Sequence, residues 1–166
     1  MNIILIGFMG SGKSIVGEHL SRLLQFSWVD MDLLVYQKTG TRTMHEVFAL
    51  GGELLLRETE IAIVKEYVPK QRCVLSTGGG VVLNKIILDY CKQAGGKVIF
   101  LHAGFELLAK RLENDRSRPL FQDLTSARKI FDFRLPLYQQ YADVVVEVEG
   151  KTPHEIALAI QQSVVV

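Results

Sequence analysis

The sequence predicts one three-layer α/β/α sandwich built on a five-stranded parallel sheet, and three observations carry that expectation. Short apolar runs alternate with longer amphipathic ones along the whole chain. The runs that read as strands are almost wholly apolar, as parallel strands covered on both faces are. The first of them leads directly into a glycine-rich loop and then into a helical pattern. The 166 residues suit a single domain, and no repeat, linker or low-complexity tract divides residues 1–166.

Taken in order, Ile3 to Ile6 reads as a buried strand. Past the glycine loop, Val16, Leu20, Leu23 and Leu24 recur at helical spacing. Phe26 to Val29 is a second strand, ending at Asp30, and a helical stretch follows that breaks near Gly40 and again at Gly51-Gly52. From Glu53 a helix runs to Pro69. Cys73 to Leu75 and Lys97 to Leu101 are the third and fourth strands. Val81 to Gln93, Phe105 to Glu113 and Leu124 to Gln140 are helical. Val144 to Val148 makes the fifth strand, and Pro153 opens the last helix, where a missing N–H costs nothing. The polar stretch from Glu113 to Asp123 carries Pro119 between two helices; its length suggests a lid or binding loop over residues 112–124, against the plainer reading of a solvated connector.

Several function classes fall away. A net charge of +1 with 22% charged residues, and Lys65, Lys70 and Arg72 dispersed, lacks the basic patch of a nucleic-acid protein. The opening Asn2-Ile3-Ile4-Leu5-Ile6 has no charged leader segment and ends in a glycine loop, so it is not read as a signal peptide. No apolar run approaches the ~20 residues of a membrane span. Cys73 and Cys91 form no ligand pattern; they read as small buried hydrophobes and suit a reducing, cytoplasmic setting. His19, His45, His102 and His154 show no metal-ligand spacing and are treated as ordinary, and Phe131, Phe133, Tyr138 and Tyr141 read as a packed helix face.

The strongest chemical signal is Gly7-Phe8-Met9-Gly10-Ser11-Gly12-Lys13-Ser14, which satisfies G-x-x-x-x-G-K-[ST] between a buried strand and a helix. Glycines let successive backbone N–H groups converge on phosphate oxygens, and the helix start adds its positive dipole end. Gly10, Ser11, Gly12, Lys13, Ser14 and Ile15 are therefore candidate ATP-binding residues in a P-loop NTPase-type fold. Lys13 is placed to neutralise the β- and γ-phosphates, and Ser14 to ligate Mg²⁺ through its hydroxyl. The guanine-reading Asn-Lys-x-Asp pattern is absent, and the chain is short for a motor ATPase.

Further features point to a small anionic acceptor. Asp30-Met31-Asp32 stands at the end of the second strand, the edge that lines ligand crevices in open α/β sheets. One carboxylate there can serve a metal shell and the other a substrate hydroxyl. A helix N-cap with a first-turn acid would place the same residues. Ser76-Thr77-Gly78-Gly79-Gly80 follows the third strand; three glycines together suggest close approach of a ligand, and Ser76 could hold a metal-bound water. Arg57, Arg118 and Arg134 fall where a carboxylate clamp and a lid need them, although Glu53 and Glu60 could equally be helical ion-pair partners of Arg57.

In this order and spacing the motifs closely resemble the shikimate kinase family over essentially the whole chain. They are the P-loop with Gly17 beyond it, Asp30-x-Asp32, Gly52-Glu53 with Arg57 and Glu60, Gly78 to Gly80, Arg118-Pro119-Leu120, and Arg134-x-Pro136-x-Tyr138. The resemblance implies a sheet order of 2-3-1-4-5, related to nucleoside monophosphate kinases, a substrate-binding helical region over residues 31–62, and a monomer. It implies transfer of the ATP γ-phosphate to the 3-hydroxyl of shikimate, within aromatic amino-acid biosynthesis. Asp32 then matches the acid that binds ring hydroxyls and is the candidate base, and Asp30 the one reaching the magnesium shell through water. Arg57 and Arg134 match the carboxylate clamp, Gly79 and Gly80 backbone contacts to the substrate, and Arg118 the lid arginine reaching both substrates. Arg111 and Pro153 match the residues that pack against adenine. Lys13, Asp32 and Arg118 are thus the expected catalytic group. The chain departs from the family at Leu56, where Phe is usual, at Tyr36, where an acid is usual, and at Ile15, where Thr is common. Kinases of another small sugar acid, such as gluconate, and a silent nucleotide switch remain the rival readings.

Overall fold

Ile3–Ile6 (β1) is wholly apolar because it is covered on both faces, with all four residues buried. In a computed structural model, which describes residues 1–113 and 123–164, β1 is the central strand of a parallel sheet. Cys73–Ser76 (β3) pairs on one side and Lys97–His102 (β4) on the other. Ser27–Asp30 (β2) flanks β3 and Val144–Glu147 (β5) flanks β4, giving the order β2-β3-β1-β4-β5 that the resemblance implies.

The helices are Lys13–Leu24 (α1), Met31–Thr39 (α2), Met44–Tyr67 (α3), Lys85–Gln93 (α4), Phe105–Leu112 (α5), Leu124–Tyr141 (α6) and Pro153–Val164 (α7). α1 packs along α7, α2 along α3, and α3 against α4, while α4 and α6 reach β4. The layers make a three-layer α/β/α sandwich. Because every strand runs the same way, the carboxyl ends of β1, β2, β3 and β4 open on one edge, with the glycine loop after β1 and the glycine triplet after β3. Among the described residues no helix is long and apolar enough to cross a membrane.

One local expectation holds and two change. The break expected at Gly51-Gly52 is present: Gly52 (φ 66°, ψ −162°) is non-helical and kinks the run Met44–Tyr67, separating the stretch that Thr43 caps by accepting the Glu46 N–H from the stretch that starts at Glu53. The helix expected over Val81–Gln93 is split: a short 3₁₀ turn, Val81–Leu83, precedes α4, and Asn84 between them is non-helical. Phe133 leaves the packed face of α6 and is 66% exposed, whereas Phe131 and Tyr138 are buried. Asn2 pins the edge opposite the site. Fully buried, it donates to the Val68 carbonyl at 2.7 Å and accepts the Cys73 N–H at 3.0 Å.

Candidate active site

The P-loop turns where glycine is required. Gly10 and Gly12 have φ of 82° and 92°, a left-handed conformation that side chains resist, and Gly12 caps α1 directly. The Lys13 ammonium donates to the Gly7 and Phe8 carbonyls at 2.8 and 3.0 Å, lying over the loop. The Ser11 hydroxyl is buried and has no hydrogen-bond partner among the described residues. Arg111, near the end of α5, donates to the Gly10 carbonyl at 2.9 Å, which ties α5 to the loop. Ile15 is exposed, and one turn on along the same face of α1 the His19 ring meets that of His154 at 6.0 Å. His154 adjoins Pro153, so the start of α7 stands beside the Ile15 face.

Asp30 satisfies both sequence readings at once. Its Oδ1 accepts the Leu33 N–H and caps α2, while its Oδ2 accepts the Ser14 hydroxyl at 2.5 Å. Hydroxyl and carboxylate together form a hard oxygen pair at the loop's end, the donor chemistry that magnesium takes. Ser76 is placed differently from the expectation. It is 2% exposed, donates to the Lys13 carbonyl at 2.9 Å and accepts the Trp28 indole N–H at 3.2 Å. Its hydrogen and a lone pair are thus spent on bracing the first turn of α1. Gly17 admits this arrangement, since a Cβ there would collide with the Ser76 hydroxyl and the Trp28 indole.

Beyond the P-loop lies a cavity of about 560 Å³ whose walls include Asp32, Arg57, Gly79, Gly80 and Arg134. The glycine triplet is explained by its neighbours. A Cβ on Gly78 would lie 3.0 Å from Asp32 Oδ1, and one on Gly80 would lie 2.7 Å from an Arg57 guanidinium nitrogen. None of the three has positive φ, so side-chain access and not backbone strain selects glycine here. Arg57 donates to Glu60 at 2.8 Å and to Glu53 at 3.2 Å. Burial works against the Arg57 charge, but Glu60 and Glu53 overcome it and its pKa rises. The pKa of Glu60 also rises, because its burial outweighs the opposing Arg57 cation and Asp32 adds a like charge. The two shifts differ in origin: the guanidinium is partly exposed and sees two carboxylates, the carboxylate is enclosed and sees one guanidinium.

Arg134 on α6 stands 6.0 Å from the Phe8 ring, so a cation of the cavity wall touches the P-loop. Arg118 and most of the proposed lid lie outside the described residues. Among the described residues no cluster of three metal-ligating side chains forms. Sequence reasoning gave no site role to two lining groups, Glu60 and His45, and no partner to Tyr138, which bonds the Gly79 carbonyl from behind the cavity wall. The signal for Glu60 was an acid three residues from Arg57, on the same helix face. For His45 the signal was its place in the first turn of the helix that Thr43 caps.

A loop that wraps nucleotide phosphates, set beside a cavity bearing a carboxylate and two guanidinium groups, is the working arrangement of a small-molecule P-loop kinase, and that is the class of this chain. Comparison narrows the class. The shikimate kinase family model matches residues 9–165. A shikimate kinase of Thermodesulfovibrio yellowstonii is 39% identical over 160 residues, covering 94% of this chain and 90% of that protein. The crystal structure of a shikimate kinase from Acinetobacter baumannii in complex with shikimate superposes with a TM-score of 0.91 at 33% identity, covering 99% of this chain and 92% of that one. A gluconokinase from Sinorhizobium meliloti reaches a TM-score of 0.58 at 18% identity over 95% of this chain and 89% of its own, a likeness of fold alone. The chain belongs to the shikimate kinase family, and its reaction is the ATP-dependent phosphorylation of shikimate.

Proposed function

We propose that shikimate lies in the cavity with its carboxylate between Arg57 and Arg134 and its 3-hydroxyl toward Asp32 and the P-loop. The observation that carries this reading is that one cavity is lined by Asp32, Arg57 and Arg134 together with Met9 of the phosphate loop. A carboxylate and a hydroxyl on one small ring can be held at both ends by that set. Guanidinium pairs bind carboxylates through paired N–H donors, which fixes orientation as well as charge.

Asp32 then orients the 3-hydroxyl and accepts its proton as the oxygen attacks the γ-phosphorus. The P–O bond to ADP breaks as the new one forms, so the chemistry is mostly positioning and charge stabilisation. Lys13 leaves the Gly7 and Phe8 carbonyls for the β- and γ-phosphates, and the N–H groups of Gly10 to Ser14 hold the same oxygens. Ser14 directly and Asp30 through water would hold Mg²⁺, which when bound supplies further neutralisation of the phosphate oxygens; Ser76 takes part by bracing the loop. Gly79 and Gly80 offer backbone groups to shikimate. Ile15, Arg111 and Pro153 flank adenine. Arg118, which lies outside the described residues, is the arginine the resemblance assigns to both substrates. The chain works as a single-domain monomer in the cytoplasm. Burial pushes the pKa of the Cys73 thiol up to about 11 and that of Cys91 up to about 12, so both stay protonated and unreactive. Asp32→Asn tests the assignment. Turnover falls at least ~100-fold, as loss of a general base does, while ATP affinity stays within about threefold. Weakened ATP binding with turnover retained would move Asp32 to the nucleotide side.

A further inference from the structure

Tyr138 is an enclosed polar side chain behind the Gly79 wall of the cavity, and no step above uses it. It lies on α6 one turn beyond Arg134 and is 1% exposed, with its ring stacked on Phe100 of β4 at 5.1 Å between centroids. Packing alone would be satisfied by phenylalanine. The hydroxyl, however, donates to the Gly79 carbonyl at 2.5 Å. Gly79 is in turn pressed onto the P-loop, since a Cβ there would lie 3.4 Å from the Met9 nitrogen and 3.8 Å from the Gly7 carbonyl oxygen. On the same helix Arg134 stands over Phe8, and Phe8 meets Phe131 edge-on at 5.3 Å. Arg134 and Tyr138 are four residues apart on α6 and so lie on one face of the helix. One side chain thus ties the helix that carries Arg134 to the Gly79 turn and, through it, to the backbone that adjoins the phosphate loop.

We propose that Tyr138 is a positioning residue of the acceptor site, its hydroxyl holding the Gly79 carbonyl against the helix that carries Arg134, so that Gly79 and Arg134 meet the acceptor's carboxylate end in one register. The inference rests on the assignment of Arg134 and Gly79 to shikimate. Any donor would spare the Gly79 carbonyl from being buried unpaired. A donor anchored one helical turn from Arg134 also fixes the distance between the two substrate contacts. Its loss therefore weakens shikimate capture more than it slows the phosphoryl step.

The test is Tyr138→Phe, which keeps the ring and its stacking. The shikimate KM is expected to rise about tenfold, the scale of one buried hydrogen bond, with kcat and the ATP KM within about twofold. Two other variants are read beside it. Ile160→Ala on α7, in the core remote from the cavity, should lower the melting temperature without moving the shikimate KM. Arg134→Lys should raise that KM. An unchanged KM in Arg134→Lys would overturn the clamp and the inference together. A raised KM there with an unchanged KM in Tyr138→Phe would overturn the inference alone. So would a loss of stability and kcat in Tyr138→Phe with no change in KM, the pattern of a merely structural residue. Hydrogen exchange on the unaltered protein needs no variant to fold. Shikimate without nucleotide should protect the amides of residues 78–82 and 134–139 together, and protection of one segment alone would contradict the coupling.

Discussion

Replacing Glu60 by glutamine separates stability from substrate capture. Glu60 is 2% exposed and lies 2.8 Å from Arg57, whose side chain is 18% exposed and which also holds Glu53 at 3.2 Å. At an effective dielectric near 20 the gross attraction of such a pair is roughly 4 kcal/mol. Taking the carboxylate out of water opposes that gain, and the raised pKa of Glu60 shows that burial prevails. A carboxyl whose folded pKa lies above its unfolded one stabilises most fully below the unfolded value, and that contribution is lost as pH rises through the folded value. In its ionised form the group therefore adds no net stability, and a neutral isostere of equal volume should leave stability within about 1 kcal/mol. Arg57 keeps Glu53, so it is not stranded. What Glu60→Gln removes is the anion that aims Arg57 into the cavity, and the shikimate KM should rise about fivefold to tenfold. Urea melts of both chains between pH 4 and pH 8 measure the first effect and initial rates at varied shikimate the second. The stability of the variant relative to the parent should increase with pH above the unfolded glutamate value. A loss of more than about 2 kcal/mol at pH 7 would refute the claim that burial dominates at Glu60, since that is the scale of breaking a stabilising buried pair. An unchanged KM would refute its part in aiming Arg57.

Two further substitutions test the pocket and the far edge. Leu56→Phe supplies the aromatic wall usual in the family, and the shikimate KM should fall about threefold, at up to ~1–3 kcal/mol of stability if the larger ring strains a position that is 6% exposed; steady-state kinetics decides, and a rise in KM would show that the wall fits as it stands. Asn2→Ala strips the partners from the Val68 carbonyl and the Cys73 N–H, and should cost about 2–4 kcal/mol in urea unfolding. A cost below about 1 kcal/mol would mean that water or a shifted backbone replaces them.

Much of the fold was legible because each strand carries its own signature. β1, β3 and β4 are apolar runs between turn residues, and the P-loop motif marks its own strand and helix. Helix ends were less legible. Gly52 gave fair warning, since its φ of 66° and ψ of −162° interrupt α3 where the glycine pair predicts a break. Asn84 gave no comparable warning and still divides the turn at Val81 from α4. The site followed the same division. Lys13, Asp30, Asp32, Arg57 and Arg134 stand in motifs that can be read directly from the sequence. Partners chosen by the tertiary fold were hidden. Ser76 turns toward the Lys13 carbonyl and Trp28, and Tyr138 toward Gly79, bonds that join residues 63, 48 and 59 positions apart. The glycine triplet was legible as a close approach, but not which side chains approach it. Those are Asp32 and Arg57, from two different helices.

The central claim is tested most directly by measuring ADP release with ATP and magnesium while shikimate, gluconate and quinate are offered in turn and in competition. The account predicts release that depends on shikimate, is little changed by the other two acids, and yields a product one phosphoryl group heavier by mass. Equal or greater release with gluconate or quinate, or release indifferent to any acceptor, would contradict it.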